Sequence, residues 1–276
     1  MTEDTLPDGG PDRTALLPAS EAEMQAFFLE MAAACGPETL KYFRKRPEIA
    51  NKEDAGFDPV TEADRNAEII IRKLITERFP GHGIIGEEHG NENTDARYCW
   101  VIDPIDGTRA FISGLPSWGC LIGLKIDDVP VAGMMYQPFT GETYLSLGNG
   151  SRLLHASNSS QLATSTTESL SDAILMATAP ELFSGERQKK FSAVSKAARL
   201  TRYGFDCYGY AMVAAGNIDL VVECGLKPFD IVALIPIIEQ AGGVVTTWDG
   251  GPASDGGDIV AAANRQLHEQ ALALLA

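Results

Sequence analysis

The chain has 276 residues, 45% of them apolar and 22% charged, enough to bury a large core as one big domain or two closely packed halves. With 22 basic against 38 acidic residues, its formal net charge of −16 speaks against a non-specific binder of nucleic acid or anionic membrane. Five cysteines without a C-x-x-C pair, four scattered histidines and no apolar run of about 18 residues argue against a zinc site and a membrane span; they fit reduced thiols in a cytoplasmic protein without a signal peptide.

In chain order, residues 1–19 are polar and rich in proline and glycine, and they predict a disordered tail. Ser20, with Glu21 and Glu23 behind it, is a good N-cap for a helix running toward Phe43 through Phe27, Phe28 and Met31. Lys52 and Asp58 lead to Thr61, and Thr61 with Asp64 three residues later resembles a capping box. Ala67, Ile70, Ile71, Leu74, Ile75 and Phe79 then keep helical spacing until Pro80-Gly81. Read alone, Asp64 is a helix cap and Lys52 a solvated lysine. A short apolar step, Gly83 to Ile85, enters the loop Gly86-Glu87-Glu88-His89-Gly90.

Trp100-Val-Ile-Asp103-Pro104-Ile105-Asp106-Gly107-Thr108 reads as a buried strand stopped by a turn, because Pro104 cannot donate a ladder hydrogen bond. At such a bend Asp103, Asp106 and the Ile105 carbonyl can converge on one hard cation, an oxygen-only set that suits magnesium. Gly107 permits close backbone approach, and the N–H groups around it and Thr108 suit a phosphate. On this stretch alone, two solvated loop aspartates remain the alternative.

Beyond the turn, Trp118 to Ile126, Val129 to Tyr136 and Glu142 to Leu147 predict an antiparallel meander. The second half alternates: strands at Ile174–Ala177, Ile218–Glu223, Val244–Trp248 and Ile259–Ala262, and helices at Arg187–Ala198, Tyr210–Ala215, Phe229–Ala241 and after Asn264. Layered sheets and helices with mixed pairing follow, without an internal repeat. Asp230 stands where the Phe229 helix begins, a position for an N-cap, and Glu223 closes an apolar strand, where a carboxylate is often merely exposed.

Taken together, Gly86-Glu87-Glu88, Asp103-Pro-Ile-Asp106-Gly-Thr108, Asp230 before a helix ending in Ala-Gly-Gly, and Asp58-Pro-Val-Thr-Glu-Ala-Asp64 resemble the inositol monophosphatase superfamily over residues 20–276. The resemblance implies an α+β fold, the layered α-β-α-β-α sandwich shared with fructose-1,6-bisphosphatase, usually a homodimer, acting on a small phosphorylated substrate. It divides the chain into a metal-binding half (20–150) and a substrate-side half (151–276). It implies two to three Mg2+ ions per site: Glu87, Asp103 and the Ile105 carbonyl around the first, Asp103, Asp106 and Asp230 around the second, with Glu87 helping a third. A water would be activated with help from Thr108, hydrogen-bonded to Asp64, while Gly107 and Thr108 N–H groups cradle the phosphate. Bound cations would also resolve how so acidic a chain accepts a phosphate.

Within the superfamily, three stretches look like the histidinol-phosphate phosphatase branch: Gly225-Leu-Lys-Pro-Phe-Asp230, Phe205-Asp206-Cys207-Tyr208-Gly209-Tyr210, and the proline of Ala233-Leu-Ile-Pro236. Histidinol phosphate carries an ammonium and an imidazole, so Asp206 and Glu223 are the expected substrate-side acids. An inositol-1-phosphatase or a broad sugar-phosphate phosphatase is the alternative.

Overall fold

The computed structural model describes residues 11–45, 50–51 and 59–276; Lys52, Asp58 and residues 1–10 of the expected tail lie outside the described residues. Helix α1 (Glu21–Leu40) starts at Ser20 through a reciprocal capping box with Glu23, and α2 (Glu62–Arg78) starts at Thr61 through the same device with Asp64. Both bury their apolar faces on one side of an eight-stranded sheet. In spatial order its strands are Asn158–Gln161, Ser151–His155, Glu142–Ser146, Val129–Gln137, Gly119–Ile126, Tyr98–Asp106, Gly83–Gly86 and Gly90–Glu92. Phe27 and Phe28 pack on Trp100 there, with ring centroids 5.6 and 5.5 Å apart.

The meander is antiparallel as expected, and its Asp127-Asp128 turn has φ of 49° and 64°, the left-handed pair that a tight hairpin requires. One more hairpin, Ser151–His155 with Asn158–Gln161, extends this sheet. The boundary expected at residue 150 therefore falls inside the sheet, and the chain leaves it after Gln161. This hairpin's alternation carries no apolar signal, since its second strand is exposed throughout.

The remaining helices are α3 (Thr108–Ser113), α4 (Gly185–Ala197), α5 (Asp206–Ala214), α6 (Pro228–Ile231), α7 (Leu234–Glu239) and α8 (Arg265–Leu275). A second, five-stranded sheet runs Leu200–Tyr203, Ile174–Ala177, Leu220–Leu226, Gly257–Ala262, Val244–Thr247, parallel in its first three strands and antiparallel in the rest. Helices α5, α6 and α7 lie between the two sheets, and α4 and α8 cover the outer face of the second. The layers thus run α-β-α-β-α.

Two expectations change in detail. The helix predicted over Phe229–Ala241 is two helices broken at Val232–Ala233. Pro236 is the reason, because it has no N–H for the Val232 carbonyl four residues back. Residues 11–19 of the expected tail are ordered. Arg13 N–H donates to the Gly148 carbonyl (2.8 Å), its guanidinium to the Pro130 carbonyl (3.1 Å), and Gln240 to the Pro11 carbonyl (3.0 Å). Backbone contacts of this kind leave no periodic trace in composition. No helix among the described residues is long and apolar enough to cross a membrane, and all five cysteines are free thiols.

Candidate active site

The site forms where the Tyr98–Asp106 strand ends. In an unbroken strand, residues three apart point to opposite faces, so Asp103 and Asp106 could not share a ligand. Against the neighbouring strand, however, Asp103 pairs with Leu121 and Asp106 with Gly119: three steps on one side match two on the other. The extra residue is a bulge at Pro104–Ile105, where proline leaves the ladder and Asp103 Oδ1 accepts the Ile105 N–H (3.0 Å). The bulge turns both carboxylates to one side. Ile105 pins it from beneath, buried with Phe43, Phe111 and Trp118.

Asp230 arrives from the other side. In the first turn of α6 its Oδ2 accepts the Lys227 N–H (2.7 Å), so it sits three residues inside the helix start rather than at the N-cap. Gly123 and Gly133, paired across adjacent strands, let this segment come down on the sheet: a Cβ on Gly123 would stand 2.8 Å from Val232 and 2.9 Å from the Ala233 nitrogen. One carboxylate oxygen from each of Asp103, Asp106 and Asp230 then lies within 4.8 Å of the others.

Burial first, then Glu87, Asp106 and Asp230, push the Asp103 carboxyl well above the usual range, and burial with Asp206 and Asp230 does the same to Asp106. Glu87 also hydrogen-bonds Asp103 through their side chains. Asp64 is fully buried, raised to about 6 chiefly by burial, and one of its oxygens, Oδ1, has no hydrogen-bond partner. Mutually repelling acids whose oxygens converge within 4.8 Å fit a divalent cation with hard oxygen ligands.

The sequence expectation of a Thr108–Asp64 hydrogen bond does not hold. Thr108 Oγ1 donates to the Ile105 carbonyl (3.2 Å), and Asp64 Oδ2 accepts both the hydroxyl and the N–H of Thr61. Capping claims Asp64 locally. Thr108 opens α3, whose N-cap Gly107 (φ 86°) offers no side chain to the first-turn N–H groups.

Asp206 and Glu223 stand beside the aspartate cluster. Helix α5 begins at Asp206, four residues before the expected Tyr210, and Asp206 has φ 36°, a left-handed conformation costly for any residue but glycine. A Cβ on Gly107 would lie 3.0 Å from Asp206, and the next N–H, of Cys207, donates to Asp106 Oδ2 (2.6 Å). Glu223 is not an exposed strand end. At 3% exposure it lies in the middle of its sheet, where Oε1 accepts the Thr178 N–H. Burial raises Asp206 to about 6 against hydrogen bonding by Thr178 and the charge of Arg109; burial likewise raises Glu223 to about 8. Thr178 and Arg109 escaped sequence reading, since neither stands in a motif.

A family model for the inositol monophosphatase family matches residues 20–276. The chain belongs to the inositol monophosphatase family. It is 41% identical over 253 residues to the chloroplastic bifunctional phosphatase IMPL2 of Arabidopsis thaliana, covering 88% of this chain and 72% of that one. A histidinol-phosphatase of Chlorobaculum parvum is 34% identical over 250 residues (90% and 94% covered), and an inositol-1-monophosphatase of Synechocystis 34% over 250 (87% and 84%). Among solved structures, an inositol monophosphatase from Zymomonas mobilis superposes with a TM-score of 0.82 at 36% identity, covering 93% of this chain and 99% of that one. Inositol monophosphatase family enzymes are metal-dependent, generally with Mg2+, and act on small phosphorylated substrates; this chain is a phosphatase of that family.

Proposed function

We propose that the protein hydrolyses L-histidinol phosphate to L-histidinol and phosphate with Mg2+. The observation that carries this reading is the pair of acids, buried Glu223 and half-buried Asp206, that stand beside the aspartate cluster but are additional to it. A polyol phosphate has hydroxyls for such acids, whereas histidinol phosphate brings an ammonium and an imidazole. Burial keeps Glu223 largely protonated at neutral pH in the free protein. A cation arriving opposite it reverses that balance and stabilises the carboxylate. Relatives named histidinol-phosphatase support the reading, with a Mycobacterium tuberculosis one 33% identical over 221 residues.

In this assignment Glu87, Asp103, Asp106, Asp230 and the Ile105 carbonyl hold two to three Mg2+ ions. When bound, these neutralise the acids, polarise the phosphate and acidify water. The N–H groups of Gly107 and Thr108 at the uncapped start of α3 hold the phosphate oxygens. Proton transfer falls to Asp64 and Thr108. The Thr108 hydroxyl donates to the carbonyl of Ile105, an assigned ligand, and buried Asp64 Oδ1 is without a hydrogen-bond partner. Attack by water releases the alcohol directly, without a covalent phosphoenzyme.

A second reading, inositol-1-phosphatase, rests on the 34% identical Synechocystis enzyme and on Glu223, which equally suits a sugar hydroxyl. Phosphate release with Mg2+ from histidinol phosphate, inositol-1-phosphate and fructose-1,6-bisphosphate decides between them. A preference of a hundredfold or more for histidinol phosphate, about 2.7 kcal/mol of transition-state discrimination, is expected. Equal rates on all three would reduce the protein to a broad phosphomonoesterase.

A further inference from the structure

Beside the active site, a second cluster of charges lies buried under the Gly86–Gly90 loop. Glu68 is fully buried on α2, one turn beyond Asp64 and on the same face. Its Oε2 accepts the Glu88 N–H (2.7 Å), and its Oε1 accepts the His89 N–H (3.1 Å) and the Arg72 Nε (2.7 Å). Arg72 then reaches back to the same loop, donating to the Gly90 carbonyl and to Glu92 Oε1 (2.9 Å). His89 Nε2 meets the Arg65 carbonyl of α2 at 3.0 Å. On the other side of the loop, the Glu87 N–H donates to the Ile102 carbonyl (3.2 Å), one residue before Asp103.

Helix stability does not require this arrangement. Burying a carboxylate and a guanidinium is costly, and an apolar pair would hold α2 to the sheet at least as well. The charges are instead spent on loop backbone: a carboxylate taking two successive N–H groups fixes the direction of that backbone as a single hydrogen bond does not. Gly86 is part of the fit. A Cβ there would overlap the Glu68 carboxylate and the Arg72 guanidinium, so any larger residue would push these two groups out of their present places.

We propose that Glu68, held by Arg72, is the positioning residue for Glu87, aiming its carboxylate at Asp103 and so setting the affinity of the Glu87-side metal. Glu68 touches neither substrate nor metal. It acts through the Glu88 and His89 N–H groups, and one helix thereby carries both Asp64 and the anchor of Glu87. This rests on the assignment of Glu87 as a metal ligand in the proposed function.

The test is a calorimetric titration of the metal-free full-length protein with Mn2+ and with Mg2+, run on the native protein, Glu68→Gln, Arg72→Gln and Glu87→Gln. Glu68→Gln keeps the shape but puts an amide where the Glu88 and His89 N–H groups need acceptors. We expect it to weaken the Glu87-side binding phase about tenfold or more, with the phase of Asp103, Asp106 and Asp230 retained, and activity recovered at high Mg2+. Native titration curves in a Glu68→Gln protein that only melts earlier would overturn the proposal and leave Glu68 a strut. Should Glu68→Gln not fold, Arg72→Gln carries the same decision: a weakened Glu87-side phase supports the proposal and an unchanged one overturns it. Glu87→Gln separates the two claims. If it leaves both phases intact, the ligand assignment is wrong and the positioning role falls with it; if it abolishes one phase that Glu68→Gln and Arg72→Gln leave untouched, only the positioning role falls.

Discussion

The two acidic regions of the site are built differently. The aspartate cluster is assembled by a local device: a bulge at Pro104–Ile105 turns Asp103 and Asp106 to one face, and a first-turn residue of α6 completes the set. The Asp206–Glu223 wall is assembled at long range, from the start of α5 and the centre of the second sheet, meeting at Thr178. The first arrangement brings like charges within 4.8 Å and needs a cation to be stable in its ionised form. The second leaves Glu223 with a pKa of about 8, poised to ionise when a positive group arrives. In the proposed function, chemistry common to the family belongs to the first, and choice of substrate to the second.

Substitutions in the cluster should cost most. Asp230→Asn keeps an oxygen for the Lys227 N–H but loses a charge from the cluster. Its kcat/KM should fall by about 10^3 or more, roughly 4 kcal/mol, on every phosphomonoester alike, with thermal stability changed by less than about 1 kcal/mol. A loss confined to one substrate would move Asp230 from the metal set to the wall.

The dependence of stability on pH separates the regions further. Asp64 and Asp206 at about 6 and Glu223 at about 8 are all raised above their unfolded values, so the folded protein holds protons that the unfolded chain releases. Their contribution to the metal-free protein is present below about pH 4 and is lost as pH rises through 6 and then 8, at up to about 1.4 kcal/mol per pH unit for each group. Melting temperatures of the metal-free protein should therefore fall from pH 5 to pH 8. Mg2+ should recover more at pH 8 than at pH 5, through the cluster, and Glu223→Gln should flatten what decline remains between pH 6 and 8. A metal-free protein that gains stability over that range would contradict the burial argument for all three acids.

What was legible in the sequence follows the same division. The caps at Ser20 and Thr61 and the meander are written in neighbouring residues, where short polar side chains and alternation act over a few bonds; the turn expected at Pro104 is instead a bulge, and the strand runs on to Asp106. The split of the Phe229 helix was equally local, and Pro236 was its signal. The edge strand Leu200–Tyr203 was not legible, because a parallel partner distant in sequence creates it and two of its four residues are polar. Glu223 read as an exposed strand end because nothing nearby in sequence reveals the strands on either side of it. Asp64 misled in the opposite sense: its capping role was real, and the Thr108 hydroxyl donates to the Ile105 carbonyl instead.

The division of labour between cluster and wall is tested most directly by one ratio. The quantity is kcat/KM for histidinol phosphate over that for inositol-1-phosphate, with Mg2+, in native protein and in Asp206→Asn, whose Cys207 N–H still reaches Asp106. The account predicts that the ratio falls by about tenfold or more, roughly 1.4 kcal/mol, while the rate on inositol-1-phosphate is largely kept. Equal losses on both substrates would make Asp206 a support for Asp106, and the separate substrate wall would have to be given up.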